Sequence, residues 1–255
     1  MPLEHILLIL LVGIVAGFIN VLAGGGSLLT MPMLIFLGLP SATANGTNRI
    51  ALMVQNIIAV ANFRHKGFFD WRLNLMLAIP AVLGSILGAH VAISLPDQVF
   101  NKILGIVMLI VLALILFRPL KDSVAHENKF SSRKKLLTII AFFFVGLYGG
   151  FIQAGVGFII IAALTFITGM SLVKINSIKV FVIAVYTISS LIIFIINGEV
   201  NWLLGMVLAA GNGIGGWLGS SFAVAKGDKW IRVFLLITVT TMAAKLLGLF
   251  DLLGF

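Results

Sequence analysis

Gly17-Phe-Ile-Asn-Val-Leu-Ala-Gly-Gly-Gly-Ser27 and Gly150-Phe-Ile-Gln-Ala-Gly-Val-Gly157 lie 133 residues apart and read as two copies of one element. Each opens on Gly-Phe-Ile followed by an amide side chain. Each then passes through a glycine cluster into an apolar stretch of only about 12 residues, 27–38 and 157–168. Three consecutive glycines suit an unwound backbone, whose free N–H groups and following helix N-terminus can hold an anion. In apolar surroundings such backbone is tolerated only where it lines a cavity or is buried in protein. Apolar segments of 10–14 residues are often re-entrant or broken rather than full spans. The pair therefore predicts two broken or re-entrant segments.

Around this pair lie eight longer apolar runs, at 6–23, 42–63, 72–94, 98–117, 136–154, 173–196, 202–224 and 230–249. The chain of 255 residues is 61% hydrophobic and 10% charged. A soluble domain averages roughly 45–50% apolar and about 25% charged, so the solvent is lipid. A spanning helix needs about 20 mostly apolar residues, and the eight runs reach that length. A net charge of +9 would suggest nucleic acid in a soluble protein. Here the basic residues sit in short loops, where they set topology. With no cysteine, disulfides and thiol chemistry are excluded. The residues before the first run, Met1–His5, contain no Lys or Arg, so that run is read as a retained helix rather than a cleaved signal.

The duplication extends along the chain. At a shift of 131, Gly38 meets Gly169, Asn45 meets Asn176, and Gly84 and Gly88 meet Gly215 and Gly219. The turn from Gly67 to Trp71 meets the turn from Gly198 to Trp202. Arg64, Lys66 and Arg72 mark one loop, Arg118 to Lys135 the centre, and Lys226, Lys229 and Arg232 the last loop. These are expected on the cytoplasmic side, and the loops at 95–98 and 197–201, without Lys or Arg, outside. Equivalent turns then face opposite sides. The expected fold is an all-α polytopic membrane protein of two inverted repeats, about five segments each. It has eight full spans, two short broken segments and both termini outside. The repeats are 1–117 and 136–255, with a basic cytoplasmic linker at 118–135. A parallel duplication would need one loop to break the charge rule.

All eight acids lie in loops or at segment ends, which disfavours a buried carboxylate relay and any paired-acid enzyme. Two bases lie inside apolar runs, Arg49 and Lys179, each roughly 10 Å into its helix. Without a buried acid they need an anion, backbone carbonyls or water, unless they snorkel to the interface. Amides share their faces: Asn45, Asn48 and Asn56, with Gln55 at the border, beside Arg49, and Asn176 beside Lys179, with Tyr186 and Ser190 further along. The candidate anion site comprises Asn20, Gly24, Gly25, Gly26, Asn45, Asn48, Arg49, Gln153, Gly155, Gly157, Asn176 and Lys179. Asn20 and Gln153 are expected to be equivalent. Gly84, Gly88, Gly215 and Gly219 are read as close helix packing. No nucleophile–base pair or metal-ligand cluster is seen, so no catalytic residue, metal or cofactor is expected.

These motifs, with Pro32 and Gly38 after the first, resemble the paired signatures of the TauE/SafE family of sulfite and organosulfonate exporters, and the resemblance covers essentially the whole chain. The second copy departs from the first in Gly-Val-Gly for Gly-Gly-Gly and in Ala163 where Pro32 would repeat. The resemblance implies export of sulfite or a related sulfur-containing anion from a cell inner membrane. The expected partners are a small anionic substrate and the lipid bilayer, with no nucleic acid; homo-oligomers are left open. The expected mechanism is alternating access. The alternatives are an anion channel or a carrier of another small organic anion.

Overall fold

The structure is a computed structural model describing residues 3–106 and 132–246. It contains α-helices and, among the described residues, no strand. The helices are α1 (Leu3–Leu22), α2 (Ser27–Phe36), α3 (Ser41–His65) and α4 (Trp71–Ser94), then α5, described over 97–106. After the linker come α6 (Ser132–Phe151), α7 (Val156–Thr168), α8 (Leu172–Ile196) and α9 (Trp202–Leu246). α9 breaks at Gly227 (φ 71°, ψ −169°), which separates the two last apolar runs. Most of the linker 118–135, the second half of the 98–117 run and residues 247–255 lie outside the described residues.

Turn chemistry sets these boundaries. α3 and α8 both end on a glycine two residues past the last helical one, Gly67 (φ 80°) and Gly198 (φ 74°). In both, the next N–H reaches back to a carbonyl of the last turn: Phe68 to Phe63 at 2.9 Å, Glu199 to Phe194 at 2.9 Å. This closure puts a residue in the left-handed region, which glycine adopts without strain. The first N–H groups of the same helices are held by acids: Ser41 N donates to Asp97 at 2.8 Å, and Leu172 N and Val173 N donate to Asp228 at 2.9 and 3.1 Å. Asp97 and Asp228 lie 131 residues apart, as do Ser41 and Leu172. A carboxylate at a helix N-terminus is favoured by the dipole and the orphan N–H groups. Asp70 caps α4 in the same way, accepting from Leu73 N.

Apolar residues both fill the core and cover the outside, unlike in a soluble protein. Ile79, Leu83, Leu87 and Val91 form an exposed stripe along α4, and Leu7, Leu11 and Val15 another on α1. Inside, Asn45, Asn48, Arg49, Gln55, Asn74 and Asn176 are fully buried. Such exposed apolar faces around an interior that also buries polar groups require a lipid surround. Four helical stretches are long and apolar enough to cross a membrane: Glu4–Leu22, Trp71–Ser94, Leu172–Ile196 and Trp202–Ile231. α3 has the length, at 25 residues, but its amides and Arg49 lower its hydropathy. Those groups face protein, so their burial does not need lipid.

Helix directions follow from which residues meet. Ala81 lies against Gly146 and Ser85 against Gly150, so α4 and α6 run the same way. Leu10 meets Gly211, Ile14 meets Gly215 and Phe18 meets Gly219, so α1 and α9 do too. Ile50 meets Gly205 and Asn62 bonds Ser220, which aligns α3 with α9. Trp71 meets the Phe181 ring edge-on and Ser85 bonds Ser189, which aligns α4 with α8. Gly46 meets Phe194 and Arg49 bonds Ser190, so α3 and α8 oppose each other. Thus α1, α3 and α9 point one way, and α4, α6 and α8 the other. A Cβ on Gly84, Gly88, Gly215 or Gly219 would overlap the backbone of the facing helix, which is the close packing expected of them.

Candidate substrate site at two broken helices

Between α1 and α2 and between α6 and α7 the chain makes an elbow. At the first, Ala23 N and Gly24 N both donate to Ile19 O, at 2.7 and 3.3 Å. The carbonyls of Asn20, Val21 and Leu22 are thereby left without a helical partner. At the second, Ile152 N and Gln153 N both donate to Tyr148 O, at 2.9 and 3.3 Å, which leaves the carbonyls of Gly149, Gly150 and Phe151. A buried helix end must satisfy such groups from elsewhere.

The buried bases and amides do so. Lys179 Nζ donates to Asn20 O at 3.0 Å, Val21 O at 2.6 Å and Asn176 Oδ1 at 2.7 Å. Asn176 Nδ2 takes Leu22 O at 3.3 Å. At the other elbow Arg49 donates to Gly149 O at 3.1 Å and Gly150 O at 2.5 Å, and also to Ser190 Oγ and Asn45 Oδ1. Asn45 Nδ2 takes Phe151 O at 2.7 Å. Each broken helix is closed by a cation and an amide from the long helix of the other half. A cation at a helix C-terminus is also favoured by the dipole. Arg49 and Lys179 are 0% and 1% exposed, so neither snorkels.

The two elbows touch. A Cβ on Gly24 would overlap Gly157 Cα, and one on Gly157 would overlap Gly24 Cα. Gly24 also has φ 88°, a conformation that disfavours any side chain. Gly25 lies under the Phe158 ring, and Gly26 is pressed onto Ala16 O. Gly155 opens α7 with φ 74°. From the crossing, α2 and α7 begin with N–H groups that bond back to the turn before them: Leu28 to Gly25 O and Leu29 to Gly26 O, both at 3.0 Å, and Val156 to Gln153 O and Phe158 to Gly155 O at 3.2 and 3.1 Å.

The expected equivalence of Asn20 and Gln153 does not hold. Asn20 is inside α1, whereas Gln153 lies two residues beyond α6 with φ 69°. Helix ends and capping bonds match at a spacing of 129, pairing Ile19 with Tyr148 and Leu22 with Phe151. The Gly-Phe-Ile likeness of the two motifs slips by one helical turn against this, because the glycines that admit close helix packing are not those that break the helix. Asn20 instead donates to Gln55 Oε1 at 3.3 Å, which Asn212 also approaches at 3.4 Å. Gln153 lies beside Tyr186.

On α3 three buried nitrogen donors are left without a partner, Asn48 Nδ2, Arg49 Nε and Gln55 Nε2; Asn74 Nδ2 on α4 and the hydroxyls of Thr165, Tyr186 and Thr187 on α7 and α8 are left so too. Asn48 Oδ1 accepts from Thr30 on α2 at 2.7 Å, which turns its amide nitrogen away from that bond. Gln55 and Asn212 carry part of this network. Gln55 was legible only as the border of the α3 polar face, and Asn212 had no signal beyond an amide in an apolar run. A separate cavity of about 550 Å³ between α3 and α8, which includes Arg64 and His65, contains no elbow residue. Among the described residues no group of metal-binding side chains occurs.

Buried polar elbows inside an apolar-faced helical assembly define a polytopic membrane protein of the broken-helix type. The family model for the sulfite exporter TauE/SafE matches residues 9–246, and the chain belongs to that family. It is 31% identical over 235 residues to a probable membrane transporter protein of Haemophilus influenzae, covering 92% of this chain and 91% of the relative. It is 32% identical over 240 residues to the probable membrane transporter protein YfcA of Escherichia coli K12, covering 92% and 87%. The similar Bacillus subtilis protein YunE, 23% identical over 270 residues, is also named a probable membrane transporter protein. The chain is a membrane transporter, and these names accord with transport rather than enzymatic activity. No solved structure matches it.

Proposed function

We propose that the chain is a secondary carrier that exports a small sulfur-containing anion, sulfite or an organosulfonate, across the cell inner membrane by alternating access. The observation that carries this is the contact of the two elbows at Gly24 and Gly157, each closed by a buried cation. The family description names sulfite export. In this reading the fold is an inverted repeat of eight spans and two half-helices, α2 and α7. The opposed directions of α1 and α6, of α3 and α8, and of α4 and α9 support the inversion. Broken helices meeting near the midplane at a repeat interface form the usual substrate site of such carriers.

The anion lies beside the crossing, at the positive ends of α2 and α7 and against the unpartnered donors Asn48 Nδ2, Arg49 Nε and Gln55 Nε2. Gly24, Gly25, Gly26 and Gly157 let the elbows pack closely enough to shape the site, and Gly155, Asn20 and Gln153 border the anion. Arg49 and Lys179 supply positive potential, while with Asn45 and Asn176 they hold the elbows in shape. An inside-negative membrane favours exit of an anion by about 2.3 kcal/mol per charge per 100 mV.

Proteoliposomes loaded with sulfite, or separately with an aliphatic sulfonate, test this. Potential-dependent efflux is expected, with Asn48→Leu and Gln55→Leu reducing it at least tenfold while both variants remain folded. Equal efflux from variants and wild type would remove these donors from the site. Absence of efflux for both anions would overturn the substrate class.

A further inference from the structure

Lys179 does for α1 what a bound cation does at a broken helix elsewhere. In carriers of this architecture, unwound carbonyls and half-helix C-terminal ends coordinate the coupling sodium ion. Here the end of α1 presents Asn20 O and Val21 O, and Asn176 adds Oδ1. The three oxygens lie 2.6–3.0 Å from one point, and that point is Nζ. All three partners are acceptors, so each takes one proton of an ammonium; a neutral amine would leave one unpaired. The Lys179 side chain is 1% exposed and has no carboxylate beside it among the described residues. The second elbow is closed by a larger cation, the Arg49 guanidinium, which bridges two carbonyls and is not replaceable by one small ion.

We propose that the Asn20–Val21–Asn176 oxygens form a monovalent-cation site that Lys179 fills with its own ammonium group. The carrier then runs without sodium, because the charge that other carriers recruit from solution is covalently tethered. Removing the ammonium while leaving the oxygens creates a vacant site for a small alkali cation. The inference extends the carrier reading, but its test measures cation binding and is independent of which anion is moved.

The experiment follows thermal unfolding of the purified full-length chain in detergent, with sodium exchanged for choline at constant ionic strength. Wild type is expected to unfold at the same temperature in both. Lys179→Ala is expected to be stabilised saturably by sodium, by about 3–6 °C near tenfold saturation. Lys179→Met, which fills the space without a charge, is expected to show no response. A saturable sodium effect on wild type overturns the proposal. So does a Lys179→Ala protein indifferent to lithium, sodium and potassium, or a Lys179→Met protein that responds as Lys179→Ala does. Lys179→Ala protein recovered folded only when prepared in an alkali cation supports the site, and one that is unfolded in lithium, sodium and potassium alike overturns it.

Discussion

Arg49→Ala probes how far the second elbow depends on its cation. The guanidinium makes four hydrogen bonds, to Gly149 O, Gly150 O, Ser190 Oγ and Asn45 Oδ1, and stacks at 4.7 Å from the Phe194 ring centroid. Ser190 loses little, because its hydroxyl already donates to Tyr186 O or Thr187 O. Two main-chain carbonyls at the end of α6 lose their partner, at roughly 1–3 kcal/mol each. The sum is about 2–6 kcal/mol. Breaking a buried ion pair from one side costs about 3–5 kcal/mol because it strands a charge. Here no charge is stranded, which places the expected loss at about 2–4 kcal/mol. Arg49→Lys retains the charge but concentrates its donors on one nitrogen, so about half that loss is expected. The exposed Arg64 is the control, with Arg64→Ala within about 0.5 kcal/mol. Equilibrium unfolding in mixed micelles, followed by tryptophan fluorescence, reads the difference. A loss below about 1 kcal/mol for Arg49→Ala, or one equal to that of Arg64→Ala, would refute the capping role.

Gly24→Ala and Gly157→Ala are expected to abolish folded protein or transport, since each Cβ overlaps the opposite elbow. Gly105→Ala, with open space around it, should be neutral or stabilising by up to about 1 kcal/mol, as thermal unfolding would register. Gln153→Gly should raise stability by about 1 kcal/mol by relieving a left-handed non-glycine residue. The same change should lower anion efflux, and a rise in both would separate Gln153 from the site. Asp228→Ala and Asp97→Ala each remove an N-terminal cap and should cost about 0.5–2 kcal/mol. If neither lowers the unfolding midpoint, the caps are incidental.

Much of this architecture was legible in the residues. Where residues are described, the apolar runs fall on helices, because lipid imposes a length and a composition that are local and additive. Gly38, Gly67, Gly169 and Gly198 could be read as paired because a helix end in the left-handed region is a demand on one residue. Arg49 and Lys179 stood out because an ionisable side chain inside an apolar run is rare. What holds them was not legible: their acceptors are main-chain carbonyls, which every residue carries and no sequence marks. Asn20 and Gln153 were matched by type, yet the backbone puts one inside a helix and the other beyond its end.

By itself, then, the sequence determined the membrane setting, the places of the apolar helices among the described residues, the paired glycine turns and the buried cations. Each of these follows from composition or short-range chemistry. Only the tertiary structure decided that each cation closes a broken helix in the opposite half, at 100 or more residues' separation, and that the two elbows meet at Gly24 and Gly157. The physical reason is that an orphaned carbonyl can be satisfied by any donor that packing brings within about 3 Å, and packing is a property of the whole assembly rather than of any segment.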